Sequence, residues 1–222
     1  MDNFDIQYII NLFYILLKYI HVTLSISLLS MIIGITLAIL LALIKIYKIK
    51  GLYFFTNVYI SFFRGTPFIA QLFLLYFGLP EIIPVLKNLN AYNAAVICLA
   101  LNASAYMAES IRAAITSIEK GQMEAALSLG MTNLQALKLI IIPQAARIAI
   151  PSLANNFIDI IKGSSLAFTI GVAEIMGKAQ MEGSASYKFF ESYLAVALLY
   201  WVIVLVFEYL QRTVEYKFNK AY

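Results

Sequence analysis

Charge is scarce in this chain. Of its 222 residues, 13% are charged and 62% are hydrophobic, where a water-soluble domain carries about a quarter charged residues. The deficit excludes water as the main solvent and makes lipid the expected one. Reactive side chains are scarcer still. The single cysteine, Cys98, rules out a disulfide within the chain. The single histidine, His21, rules out a histidine metal cluster and is expected near the outer headgroups rather than at a ligand. No GxxxxGK[ST] phosphate loop occurs, so nucleotide hydrolysis by that route is excluded. The net charge of +4 reflects basic loops beside membrane spans and does not point to nucleic acid. Internal repeats, low-complexity runs and a separate soluble domain are all missing, so one membrane domain over residues 1–222 is expected. The opening Met-Asp-Asn-Phe-Asp lacks a basic leader, so the first apolar segment is expected to remain as a span.

What is present is a series of apolar runs. A span needs about 20 apolar residues, and five segments qualify: 14–44, 54–79, 91–115, 148–172 and 193–210. The stretch 5–18 is amphipathic and reads as an interfacial helix. With the N-terminus outside, the inner segments hold Lys45, Lys48, Lys50, Arg64, Arg112, Lys120, Lys138, Arg147, Arg212, Lys217 and Lys220. The outer ones hold only Lys87, Lys178 and Lys188. That asymmetry sets the orientation. In the first span Ser30, Gly34, Ala38 and Ala42 recur every four residues, which lets helices approach closely in lipid. Packing within the subunit is preferred over a dimer seam.

One stretch, 120–143, is too polar for lipid yet keeps helical spacing. It reads as two short helices, 122–129 and 133–142, hinged at Gly130, because glycine tolerates the positive φ that ends a helix. Pro143 is expected to stop the second. The result is a knob protruding from the membrane.

Polar residues inside the spans are the candidates for handling a substrate. Asn102, Tyr106 and Glu109 follow i, i+4, i+7 and share one helix face. An amide, a phenol and a carboxylate in line suit an ammonium group; the plainer reading pairs Glu109 with Arg112 one turn on. In the fourth span, Lys162-Gly163-Ser164-Ser165 looks like a helix break whose free amides, hydroxyls and ammonium would suit a carboxylate. Here too a plainer reading exists, Asp159 neutralising Lys162. Thr66, bracketed by Gly65 and Pro67 in Phe63-Arg-Gly-Thr-Pro67, sits in a non-helical turn. Arg64 there is either an interface anchor or part of a hinge beside the pathway.

Glu124-Ala125-Ala126, then Gly130, then Ile140-x-x-Pro143 resembles the EAA loop of ATP-binding-cassette importer permeases, with Ile142 where the family usually has Leu. Together with FRGTP and LNxSAYxAE, this order resembles the polar amino acid branch of that family, over nearly the whole chain. The resemblance implies an all-α membrane protein of five transmembrane helices with a cytoplasmic coupling helix, the type I importer permease fold. It also implies that Glu124, Ala125, Ala126 and Gly130 meet an ATPase. Implied partners are a second permease subunit, identical or homologous, two cytoplasmic ATP-binding subunits that use ATP and Mg, and an external binding protein. No cofactor is expected on this chain. Substrate is implied midway across the membrane, between the Asn102/Glu109 and Lys162–Ser165 stretches. Many relatives carry Asp-Thr after the lysine where this chain has Gly163-Ser164, which argues against an arginine-like preference. A secondary transporter is disfavoured by five spans without an inverted repeat, and a mere scaffold by the polar face at Asn102–Glu109.

The charge asymmetry makes a topological prediction. A reporter that works only in the cytoplasm should be active when fused after Tyr222 and silent when fused at Met1. The reverse pattern would mean that the spans are miscounted.

Overall fold

Apolar side chains with nowhere to go but lipid or each other make helices, since only helices satisfy their own backbone within one segment. The computed structural model describes residues 4–219. Its helices are α1 (Ile6–Leu17), α2 (Ile20–Tyr47), α3 (Leu52–Gly65), α4 (Phe68–Ile82), α5 (Ala91–Thr116), α6 (Lys120–Ser128), α7 (Asn133–Ile170), α8 (Ile175–Ser186) and α9 (Phe189–Asn219). Four of these, α2, α5, α7 and α9, are long and apolar enough to cross a membrane, and the count is five if the bent pair α3–α4 is taken as one span.

The bundle is built on α2 against α5. Ser30, Ala38 and Ala42 are fully buried. Ser30 Oγ donates to the Val96 carbonyl at 3.1 Å. A Cβ on Gly34 would stand 2.8 Å from Met107 Cε and 3.2 Å from the Ala100 carbonyl oxygen, so only glycine lets the helices come this close. The small-residue stripe therefore packs within the subunit. Tyr59 ties α3 to the same helix, donating to the Leu101 carbonyl at 2.9 Å and lying 2.8 Å from Ser104 Oγ. A second core gathers Ile9, Leu12 and Leu16 of α1 with Ile161 and with Ala195, Val196 and Leu199 of α9.

Three expectations are corrected. The first span does not start at 14. The chain breaks at Lys18–Tyr19: α1 turns its buried stripe onto α9 while α2 packs along α5. The second span is bent by 113° between Gly65 and Phe68; Pro67 bars Thr66 from the helical region and holds it extended (φ −120°, ψ 150°). Finally, Pro143 does not stop the knob's second helix. A wide π turn over Leu137–Ile141 precedes it, and Pro143 falls in the first turn of the α-helical run Ile142–Ser164. There the missing N–H costs little and the widened turn makes room for the ring. α7 thus leads from the knob into the membrane without interruption.

One polar node was not anticipated. Glu174, in the connection between α7 and α8, is fully buried. One carboxylate oxygen caps α8 by accepting from the Gly177 amide at 2.7 Å. The other accepts from Tyr200 of α9 at 2.8 Å and from Thr23 of α2 at 3.4 Å. Burial, the leading cause, pushes its carboxyl above the ordinary range against the pull of these bonds. A raised folded pKa gives stability that is full at low pH and is lost as pH rises through that pKa. Glu174→Gln cannot ionise, so its melting temperature should gain on the native protein's as pH rises from about 5 to about 9. Parallel melting curves across that range would show that the carboxyl does not titrate there.

Candidate functional site

The polar residues of α5 and α7 meet across a cavity of about 350 Å³, within the range of small-molecule sites. Asn102 and Tyr106 of α5 line one wall, as their shared helix face anticipates, and Asn156, Asp159 and Gly163 of α7 line the other. Phe68 and Leu166 are also at the lining. Asn156, Asp159 and Gly163 are spaced three and four apart, so the second wall was also present as a helical stripe.

The bend between α3 and α4 shapes the α5 wall. Gln71, almost fully buried, donates from Nε2 to the Phe63 carbonyl (3.0 Å), the Thr66 carbonyl (3.1 Å) and Thr66 Oγ1 (2.8 Å). Asn102 Nδ2 then donates to Gln71 Oε1 (2.9 Å) and the Phe63 carbonyl (3.2 Å). Thr66 is thus a member of the bend rather than of the cavity lining, and Asn102 is held by its amide nitrogen. Asn102 Oδ1 takes no hydrogen bond from the described residues. The Arg64 guanidinium lies over the Tyr106 ring, 5.5 Å from its centroid. The chain reversal therefore brings a cation beside a cavity residue. Gln71 carried no signal in the sequence, being one amide in an apolar run.

Glu109 stands elsewhere. Its carboxylate takes the Lys45 ammonium from α2 on one oxygen and two Arg112 N–H groups, at 2.9 and 3.0 Å, on the other. It is absent from the cavity lining. The plainer pairing with Arg112 holds, and Lys45 completes it.

The break expected at Lys162–Ser165 is not there. The α-helix runs through Ser164, passes into a 3₁₀ stretch at Ser165–Ile170 and ends at Gly171, with φ +93°. Ser164 returns its hydroxyl to the Ile161 carbonyl (2.8 Å) and Ser165 to that of Lys162 (2.6 Å), so these side chains satisfy themselves locally. Lys162 pairs with Asp159 at 2.7 Å, both side chains more than half exposed. The free amides expected for a carboxylate are not formed at Lys162–Ser165; Asp159 is the charged residue of the cavity lining.

At the far end of α5 is the knob. α6 closes as a Schellman turn: the Gly130 amide donates to the Leu127 carbonyl (2.9 Å) and that of Met131 to Ala126 (3.2 Å), with Gly130 at φ +83°. Thr132 and Gln135 then cap each other to start α7. Ala126 is buried in the turn, Glu124 and Ala125 are exposed, and Leu129 and Leu134 stand 83% and 73% exposed. The two caps thus hold Leu129 and Leu134 outward from the turn.

A family profile described as "Binding-protein-dependent transport system inner membrane component" matches residues 7–220. A probable amino-acid ABC transporter permease protein of Vibrio harveyi is 53% identical, the alignment covering 99% of each chain. An L-cystine transport system permease protein of Bacillus subtilis is 38% identical, over 98% of this chain and 92% of that one. Among solved structures, a chain of an amino acid ABC transporter crystallised with histidines superposes with a TM-score of 0.89 at 36% identity, covering 97% of this chain and 99% of that one. A methionine ABC transporter in an inward-facing form shares the fold, with a TM-score of 0.72 at 18% identity, over 90% and 96% of the two chains.

Gln71→Leu would strand the Thr66 carbonyl and leave the Phe63 carbonyl and the Asn102 amide with only each other. A loss of roughly 1–3 kcal/mol is expected, read as a lowered thermal midpoint of the purified protein. An unchanged midpoint would mean that the bend is held by Pro67 alone.

Proposed function

Because the chain belongs to the family of binding-protein-dependent transport system inner membrane components, we propose that it is the permease subunit of an ATP-driven importer of polar amino acids, taking its substrate from an external binding protein. The observation that carries the reading is the cavity between α5 and α7. It offers a carboxylate from Asp159, amides from Asn102 and Asn156, and a phenol from Tyr106. A free amino acid brings an ammonium and a carboxylate, and both must be paired when water is removed. Asp159 takes the ammonium, released from Lys162 as substrate arrives. Arg64, stacked on Tyr106, is placed for the carboxylate. Asn102, its amide nitrogen already held, offers Oδ1 as an acceptor. Lys162, Ser164 and Ser165 then flank the site on α7 rather than binding substrate through backbone amides, and Glu109 supports the helix ends.

The coupling surface is the knob, with Glu124, Ala125, Ala126 and Gly130 forming the turn and Leu129 and Leu134 the apolar contact. Its partner is a cytoplasmic ATP-binding subunit, where ATP and Mg are used. A second permease subunit, identical or homologous, completes the pathway. The basic asymmetry supports a bacterial inner or plasma membrane location with the N-terminus outside and the knob in the cytoplasm.

Losing the charge partner of a bound ion costs roughly 2–5 kcal/mol. Asp159→Asn should therefore raise the amino acid concentration needed for half-maximal stimulation of ATP hydrolysis by about tenfold or more, in the assembled complex. Glu109→Gln should leave it near the native value. Unchanged apparent affinity in Asp159→Asn would remove the cavity from the pathway, and a shift confined to Glu109→Gln would restore the reading that places substrate on that carboxylate.

A further inference from the structure

At the knob end of the bundle, the C-terminal ends of α2 and α5 and the start of α3 enclose a second cleft, of about 330 Å³. It is lined by Lys45, Ile46, Lys48, Tyr53, Arg112 and Thr116. The substrate reading makes no use of it. Three of its six residues are cations, and among the described residues the one carboxylate that touches any of them is Glu109, bonded to Lys45 and Arg112. The cluster keeps two positive charges in excess.

We infer that this cleft binds the phosphate of an anionic phospholipid headgroup. The donors are in place and still have capacity. Arg112 spends Nε and Nη2 on Glu109, which leaves Nη1 and fixes the plane of the guanidinium. Lys45 gives Glu109 one of three N–H groups. Glu109 therefore acts as a clamp that points two cations at a common space rather than letting them wander. Lys48 has no ion pair among the described residues. Its backbone holds φ +48°, a left-handed conformation that a lysine adopts at a cost. Lys48 closes α2 in that conformation, and its side chain is in the cleft lining. Tyr53 adds a phenol. Tyr53 lies in the first turn of α3, which puts the positive end of that helix beside the cleft.

Inorganic phosphate would satisfy the same donors. The surroundings favour a lipid. Tyr47, Ile49, Leu52, Phe54 and Phe55, on the α2–α3 turn and the first turn of α3, are all exposed. They form an apolar apron on which acyl chains would lie and for which a small anion has no use. The cleft also sits where two spans end, at headgroup level, and basic pockets between helices at that level are a recurring headgroup site. The inference holds whichever substrate is carried and does not rest on the cavity between α5 and α7.

The test uses the assembled complex in mild detergent, with native mass spectrometry counting retained lipid and thermal shift reading stabilisation. Phosphatidylglycerol, phosphatidylcholine and inorganic phosphate are the probes. Lys48→Asn removes the charge while tolerating the left-handed backbone, Lys48→Arg restores it, and Lys87→Asn on the other face is the control. Phosphatidylglycerol should be retained and should stabilise the native complex and Lys48→Arg. Its apparent affinity should fall about fivefold in Lys48→Asn, one surface cation's contribution, and be unchanged in Lys87→Asn. Equal retention in Lys48→Asn would overturn the site. Equal stabilisation by inorganic phosphate would show a small-anion site and overturn the lipid. Equal response to phosphatidylcholine would show only a greasy surface. Cross-linking of Tyr53 to the ATP-binding subunit would show that a protein occupies the cleft instead.

Discussion

The approach of α2 to α5 is the constraint on which the rest depends. In lipid, helices gain nothing from hiding apolar surface, so they associate through close packing and a few hydrogen bonds. Gly34 has no room for a side chain against Ala100 and Met107, and Ser30 bonds across the seam. That contact fixes α5 in position and rotation. Everything chemical then follows from which face of α5 looks where. Asn102 and Tyr106 look toward α7 and the cavity, Ser104 looks toward Tyr59 of α3, and Glu109 reaches back to Lys45 of α2. A slip of one residue between α2 and α5 would break the Lys45–Glu109 pair and the Ser30 bond across the seam.

The second constraint is the reversal at Gly65–Pro67. A helix bent through 113° exposes carbonyls that lipid cannot satisfy. Gln71 folds back to meet two of them, and Asn102 meets one again. The cavity wall and the bend are thus one hydrogen-bonded unit. The amide at position 102, expected from its place in a span to handle substrate, thus spends its nitrogen on holding the bend.

Much of this was legible in the sequence because it is local. The Gly130 turn follows from a glycine between two helical patterns, and the small-residue stripe from its spacing of four. The third span, expected at 91–115, forms at Ala91–Thr116. What was not legible depends on partners distant in the chain. Ser164 and Ser165 could free a helix or satisfy their own preceding turn, and composition alone does not choose; the actual end is set six residues later by the positive φ of Gly171. Pro143 reads as a stop until the π turn before it is known. Lys45 is 64 residues from Glu109, Gln71 is 31 from Asn102, and Thr23 is 151 from Glu174, so no window of sequence places them together.

The carboxylates Glu109 and Asp159 differ in position and in what holds them. An α-helix rises about 1.5 Å per residue, so Glu109 lies roughly 10 Å along α5 from Asn102. On the proposed substrate reading, the ammonium of an amino acid at Asn102 would not reach that far. Glu109 is in addition already bonded to two cations, and withdrawing it toward a substrate would strand Lys45 and Arg112 in a half-buried site. Asp159 is in the opposite situation. Its single partner, Lys162, is on the same helix and largely exposed, so exchanging that partner for a substrate ammonium leaves Lys162 free to find water. A carboxylate that can be released cheaply is suited to a cargo that must leave, and one locked between two helices is suited to holding them together.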